Sequence, residues 1–190
     1  WFGQGGYFSN AISYQKKFGM AKVWLAYSPE ESHPQDALSN AGHAGAKGDL
    51  MASLVFNIPN GQVGVAYAKD NNATGTTGPA GEKNTKVFGK YSFGTSTVLA
   101  QYEQSKSDVA TDYKVYFVGY QLKLPSMNKL AVQLGQTKLD SGANPKTGYA
   151  AIGMFHNFSK KTSIFAVYRK TSPDGANDQK AFSVGLREKF

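Results

Sequence analysis

Ala181-Phe-Ser-Val-Gly-Leu-Arg-Glu-Lys-Phe190 alternates residue by residue between two kinds of side chain. Phe182, Val184, Leu186 and Phe190 fall on one face, while Ala181, Ser183, Gly185, Arg187 and Lys189 fall on the other. Successive side chains of an extended strand point to opposite sides, so this segment has an oily surface backed by a small-or-basic one. Such a strand can separate hydrocarbon from water. It reads as the closing strand of an antiparallel transmembrane β-barrel of the outer-membrane type, because many similar segments precede it.

Those segments span roughly 10–17, 20–28, 48–58, 62–69, 85–93, 96–105, 112–124, 129–139, 147–158, 162–171 and 180–190, which predicts eleven strands. Short connections at Phe18-Gly19, Pro59-Asn60-Gly61, Gly94-Thr95, Pro125-Ser-Met-Asn128 and Ser159-Lys160-Lys161 alternate with longer ones at 29–47, 70–84, 106–111, 140–146 and 172–179. Tight periplasmic turns alternating with longer extracellular loops are characteristic of membrane barrels. Asn60-Gly61 is a hairpin signal, since both residues tolerate positive φ. Val63, Val65 and Tyr67 share the oily parity on their segment, as do Tyr116, Val118, Tyr120, Leu122 and Leu124 on theirs. Aromatics gather near segment ends, at Tyr27, Phe56, Tyr67, Phe93, Tyr102, Phe158 and Phe190, where interfacial girdles are expected. His156 shares the oily parity with Ile152, Met154 and Phe158, and 162–168 is apolar on both faces, so its orientation rests on placing Arg169 inside.

Composition agrees with this reading. The 190 residues include 12 Phe, 11 Tyr and 21 Gly against 2 Trp, a mixture that suits strands and turns. Mean hydropathy is −0.41, yet a barrel meets lipid only at every second residue, so window averages conceal it. No uninterrupted apolar run reaches the ~18 residues a transmembrane helix requires. Cysteine is absent, which excludes disulfides and thiolate chemistry. The opening residues, Trp1-Phe-Gly-Gln-Gly-Gly6, lack the basic-then-apolar order of a signal peptide. Net charge is +8, which fits nucleic acid, an anionic surface or an anion-attracting lumen, depending on where the charges sit. Basic residues scattered over alternating segments argue against nucleic acid.

Gly153-Met-Phe-His-Asn-Phe-Ser-Lys-Lys-Thr162 together with Val184-Gly-Leu-Arg-Glu-Lys-Phe190 resembles the Gram-negative general porins of the proteobacterial type. In that family a strand ends on an aromatic residue or Leu, turns through Ser-Lys-Lys/Arg-Thr, and the chain finishes with Gly-Leu and a terminal Phe. Phe8-Ser-Asn-Ala-Ile-Ser-Tyr14 followed by Phe18-Gly19 is similar to the family's segment after its inward-folded constriction loop. Ser13 stands there in place of the usual Arg, and Gln15-Lys16 in place of Ser-Pro. The resemblance implies a 16-stranded barrel, usually trimeric, needing roughly 280 residues. Residues 1–190 are then a single barrel domain holding strands six through sixteen. The alternative adds a strand from residues 1–8 and gives a 12-stranded barrel, which the glycines of that stretch disfavour.

On these faces the lumen receives Lys17, Lys22, Lys86, Lys90, Lys123, Arg169, Arg187 and Lys189, against the acids Asp49 and Glu103. The imbalance predicts an anion-preferring, water-filled channel for passive diffusion of small hydrophilic solutes and ions. Expected partners are outer-membrane lipids and identical copies in a homotrimer; no cofactor, metal or nucleic acid is expected. A hydrolase is the weaker alternative. His33, His43 and His156 are the only histidines, none beside a nucleophile motif, and the spacing of the first two carries no metal signature. An adhesin would call for large extracellular loops, which are absent from 106–111 and 140–146. Asn72-Ala-Thr74 and Asn157-Phe-Ser159 match the glycosylation pattern but are accidental in a bacterial barrel.

Overall fold

The computed structural model describes residues 11–29, 48–75, 78–107, 111–126, 128–159 and 161–188, with side chains at 70–80 left aside. Trp1, His33, His43, Lys189 and Phe190 lie outside these residues. The described chain forms β1 (Ile12–Phe18), β2 (Ala21–Ser28), β3 (Asp49–Ile58), β4 (Gly61–Gly75), β5 (Gly78–Phe93) and β6 (Ser96–Ser107). It continues through β7 (Tyr113–Lys123), β8 (Asn128–Leu139), β9 (Lys146–Asn157), β10 (Thr162–Pro173) and β11 (Gln179–Glu188). All belong to one 11-stranded sheet in which every strand pairs with its sequence neighbours. Every pairing is antiparallel.

Turn chemistry fixes this meander. Gly19 and Gly94 take positive φ (56° and 55°) at the first position of two-residue turns, where a side chain would be strained. In Pro59-Asn60, proline presets the first φ and Asn60 accepts a positive φ of 61° at the second. Gly61, expected to share that role, instead begins β4 opposite Ile58.

The expected loop at 70–84 is mostly strand. Lys69 pairs with Lys83, Asp70 with Glu82, and the ladder continues past a register shift to Gly75 and Gly78. A hairpin reaching beyond the bilayer needs only backbone pairing, with no oily face, so hydrophobic alternation gives no sign of it. β6, β9 and β10 likewise extend a residue or two into their expected loops.

The sheet buries its side chains on the opposite face from a soluble protein. Val87, Val118, Leu134 and Val184 are 53%, 54%, 58% and 60% exposed, and all lie on the oily parity. Buried apolar residues among those described are only Ala26, Phe117 and Ala131, all on the opposite face. The fully buried Ser28, Asp49, Glu103 and Ser105 are on that face too. Side chains crowd on the concave side of a curled sheet and splay on its convex side, so the polar face is the inner one. A continuous apolar exterior of this extent is stable in lipid and a liability in water.

Glycines let the inner face accommodate large rings. A Cβ at Gly64 would sit 2.6 Å from Phe88 Cζ, and one at Gly153 would sit 3.4 Å from Phe155 Cε2. Phe165 lies against Gly185 in the same way. Each ring therefore lies along the wall over a neighbouring glycine instead of standing away from it. Gly64→Val should force Phe88 from this position at a cost of about 1–3 kcal/mol. Urea unfolding of the channel in lipid vesicles, followed by tryptophan fluorescence, would show the lower midpoint.

Candidate functional site

The inner face carries the groups able to act on a solute. Lys17 and Lys22 face one another across β1 and β2, and Lys123 faces Lys129 across β7 and β8. Lys90 follows the same parity on β5, and Arg187 on β11 opposite Ser163. All six bases lie toward the short turns at Gly19, Gly94, Ser126 and Ser159. Lys129, Lys161 and Arg187 line a recess of about 450 Å³ there, with Gln121, Gln133 and Asn157 and no acid.

Acids of the inner face sit farther toward the loops. Asp49 opens β3 opposite Ser28, and Glu82 lies near the loop end of β5 opposite Ser107. Ser105 Oγ donates a hydrogen bond to Glu82 Oε1. The face is thus graded along the strands, basic near the short turns and acidic near the loops.

Between these zones, Lys86 Nζ lies 2.9 Å from Glu103 Oε2. Asn84 Nδ2 donates to Glu103 Oε1 at 2.7 Å, and Gln101 Nε2 donates to Oε2 at 3.1 Å. Glu103 is fully buried, so these three donors replace the water its carboxylate has lost. Lys86 keeps 23% of its side-chain surface exposed but spends its charge on this partner. Arg169, opposite Ala151 and Ala181, is exposed and lines a recess of about 230 Å³ with Tyr149, Phe117 and Glu103. Among the described residues, Arg169 is therefore an accessible cation at mid-height, and Lys86 is mostly neutralised.

Lys17, Lys22, Lys86, Lys90, Lys123, Arg169 and Arg187 all stand on the face that alternation assigns them, with Lys189 beyond the described residues. Two members went unrecognised in the sequence. Lys129 shares parity with Ala131 and Gln133, so the signal was present. Glu82 fell in an expected loop, where no parity could be assigned.

On the opposite face, Tyr27, Phe56, Phe93 and Phe158 are 48%, 43%, 51% and 58% exposed. Tyr67 lies on the same face opposite Ala52 and Thr85. His156 is reconciled with the oily parity by its neighbours. Its Nδ1 is 2.8 Å from Asn128 Oδ1, and its ring meets Phe158 edge-on at 4.7 Å. In the connection between β10 and β11, hydrogen bonds from Lys170 and Ser172 hold the Asp178 carboxyl below the ordinary carboxylate range. That tie is complete above the ordinary carboxylate range and is lost as pH falls through the lowered value. Among the described residues, no group of three or more His, Asp or Glu is placed to hold a metal ion.

A family model described as Gram-negative porin matches residues 2–176. No curated protein matches the chain by sequence. The fold is similar to the anion-selective porin from Comamonas acidovorans, with a TM-score of 0.82 and 17% identity over 96% of this chain and 60% of that one. It is also similar to Salmonella typhi OmpF in complex with daunomycin, with a TM-score of 0.76, 13% identity, and coverage of 95% and 62%. The trimer form of Vibrio cholerae OmpT gives a TM-score of 0.71 and 15% identity, covering 95% of this chain and 64% of that one. The chain thus spans less than two thirds of the length of these proteins.

Replacing Glu103 by Leu would leave Asn84, Gln101 and Lys86 without their common acceptor. The expected cost is roughly 2–4 kcal/mol, below that of a fully buried ion pair because Lys86 is partly solvated. Glu103→Gln, which keeps an acceptor oxygen, should cost less. Equal unfolding midpoints for both variants and the parent would contradict this account.

Proposed function

The chain belongs to the Gram-negative porin family and to the outer membrane, and from that premise we propose that it supplies most of the wall of a passive diffusion channel. The channel is water-filled, admits small hydrophilic solutes and ions, and works as a homotrimer without a cofactor or a catalytic step. The observation that carries this reading is the inverted distribution of side chains, apolar and exposed outside, charged and polar inside.

The open sheet edges support a place within a larger barrel. Among the described residues β1 and β11 each have one unpaired side, and bare backbone N–H and C=O groups are untenable in hydrocarbon. An odd number of antiparallel strands leaves both edges running the same way. Further strands, odd in number, must therefore join them. Strands six through sixteen of a 16-stranded barrel, residues 1–190 forming one domain, satisfy this condition. The coverage of the solved porins, 60–64%, supports the same assignment.

The pore prefers anions in this reading. Lys17, Lys22, Lys90, Lys123, Lys129, Arg169 and Arg187 line it, Lys86 being balanced by Glu103. Tyr27, Phe56, Tyr67, Phe93 and Phe158 hold its outer surface at the lipid interfaces. The similar Comamonas acidovorans channel is itself described as anion-selective. No feature of the described residues favours the adhesin or hydrolase alternatives. The connections at 108–112, 140–145 and 174–178 are short, and among the described residues the histidine, His156, lies against Asn128 and Phe158.

Planar-bilayer recordings of the full-length protein should show stepwise conductance. In a potassium chloride gradient the reversal potential should report chloride preference. Lys90→Gln with Lys123→Gln, Lys129→Gln and Arg187→Gln should lower the anion-to-cation permeability ratio by at least about twofold. The preference should fade as salt rises from about 0.1 M to 1 M, where screening shortens from roughly 10 Å to 3 Å. Cation preference in the parent would refute the selectivity, and absence of conductance would refute the channel.

A further inference from the structure

One row of the inner face crosses five strands near the short turns. Lys123 on β7 stands opposite Lys129 on β8, and Lys129 opposite Phe155 on β9. Phe155 in turn stands opposite Phe165 on β10, and Phe165 opposite Gly185 on β11. The next row toward the turns holds Asn157, Ser163 and Arg187. Lys129, Phe155, Phe165, Asn157, Ser163 and Arg187 all line the recess of about 450 Å³.

The two rings form its floor. Their centres are 6.0 Å apart and their planes 33° apart, so they tile the wall side by side instead of stacking on one another. Glycines permit that posture. Phe165 occupies the space that a Cβ on Gly185 would take, and Phe155 lies along Gly153. A ring laid along the wall turns one face toward the lumen, and both rings are half-buried. A pair of open aromatic faces receives a flat, ring-bearing molecule better than a hydrated ion.

Cations border this floor on opposite sides. Lys129 stands on the β8 flank and Arg187 on the β11 flank, three strand spacings or about 14 Å apart. Lys161 stands at the turn end, where the backbone N–H groups of Lys161 and Thr162 donate to Ser159 Oγ at 3.0 and 2.9 Å. None of the three bases makes an ion pair with a described residue, and no described acid lines the recess. Glu188, next to Arg187 in the chain, has the outward parity and stands opposite Thr162. The counter-charge for these bases is left to a solute.

We propose that this recess is a binding site for planar aromatic dicarboxylates. The ring rests on Phe155 and Phe165, one carboxylate meets Lys129, and the other accepts hydrogen bonds from the planar fork of Arg187. A monocarboxylate engages one flank only. An aliphatic dicarboxylate keeps both charges but makes no ring contact. Both therefore bind less tightly than an arene carrying acids at its two ends. Solute access to the recess rests on the channel reading, whereas binding itself needs no conductance.

The test uses full-length protein in phosphatidylcholine nanodiscs, with affinities for terephthalate, adipate and benzoate measured by saturation-transfer NMR titration. Terephthalate should bind about fivefold more tightly than adipate, the worth of the ring contact, and about threefold more tightly than benzoate, the worth of a second exposed charge contact. Phe155→Leu with Phe165→Leu should erase the preference over adipate, and Arg187→Gln should erase the preference over benzoate. In the parent, equal affinity for terephthalate and adipate, or for terephthalate and benzoate, overturns the proposal even if a variant fails to fold. Either preference persisting in its folded variant overturns it equally. Bilayer conductance of the parent separates this site from the channel: conductance with equal affinities sinks the site alone, and the predicted affinities without conductance sink the channel alone.

Discussion

A wall that spans hydrocarbon must satisfy every backbone hydrogen bond within itself, because the surrounding phase offers no partner. Among the described residues the antiparallel ladder runs unbroken from β1 to β11 and leaves only its two edges open. Once the backbone is committed to the ladder, alternate side chains have only two places to go. The remaining architecture follows from that division, including tight turns that keep neighbouring strands paired and an apolar face with nothing folded over it.

The division also explains how a wall without an apolar core holds its shape. Inner-face rings such as Phe88 and Phe165 lie over glycines of adjacent strands, filling space that would otherwise be left beside the backbone. At mid-height, the buried Glu103 collects Lys86, Asn84 and Gln101 around one carboxylate. These contacts stiffen the wall from inside while leaving Arg169 accessible. Hydrogen-bonded polar groups thus take a place that aliphatic packing occupies in soluble sheets.

The net charge of +8 resolves into separate systems. Inward bases concentrate near the short turns, whereas outward lysines concentrate near the loops. The two sets are divided by the thickness of the sheet and by the height of the membrane. Reading the whole excess as a property of the lumen would therefore overstate the field along the solute path. The same residue type does different work because parity and height place it in different surroundings.

Residue order alone determined the strand count, the antiparallel meander and the face of nearly every side chain, because a period of two is a local property of an extended backbone. Arg169 inside and Val184 outside follow from alternation without any coordinates. Only the tertiary structure decided what depends on register between strands. It opposed Lys83 to Lys106, surrounded Glu103 with its three donors, paired His156 with Asn128, and carried β4 and β5 beyond the oily band. These relations join residues far apart in the chain through hydrogen bonds between backbones, and no single segment contains the information that aligns one strand with the next.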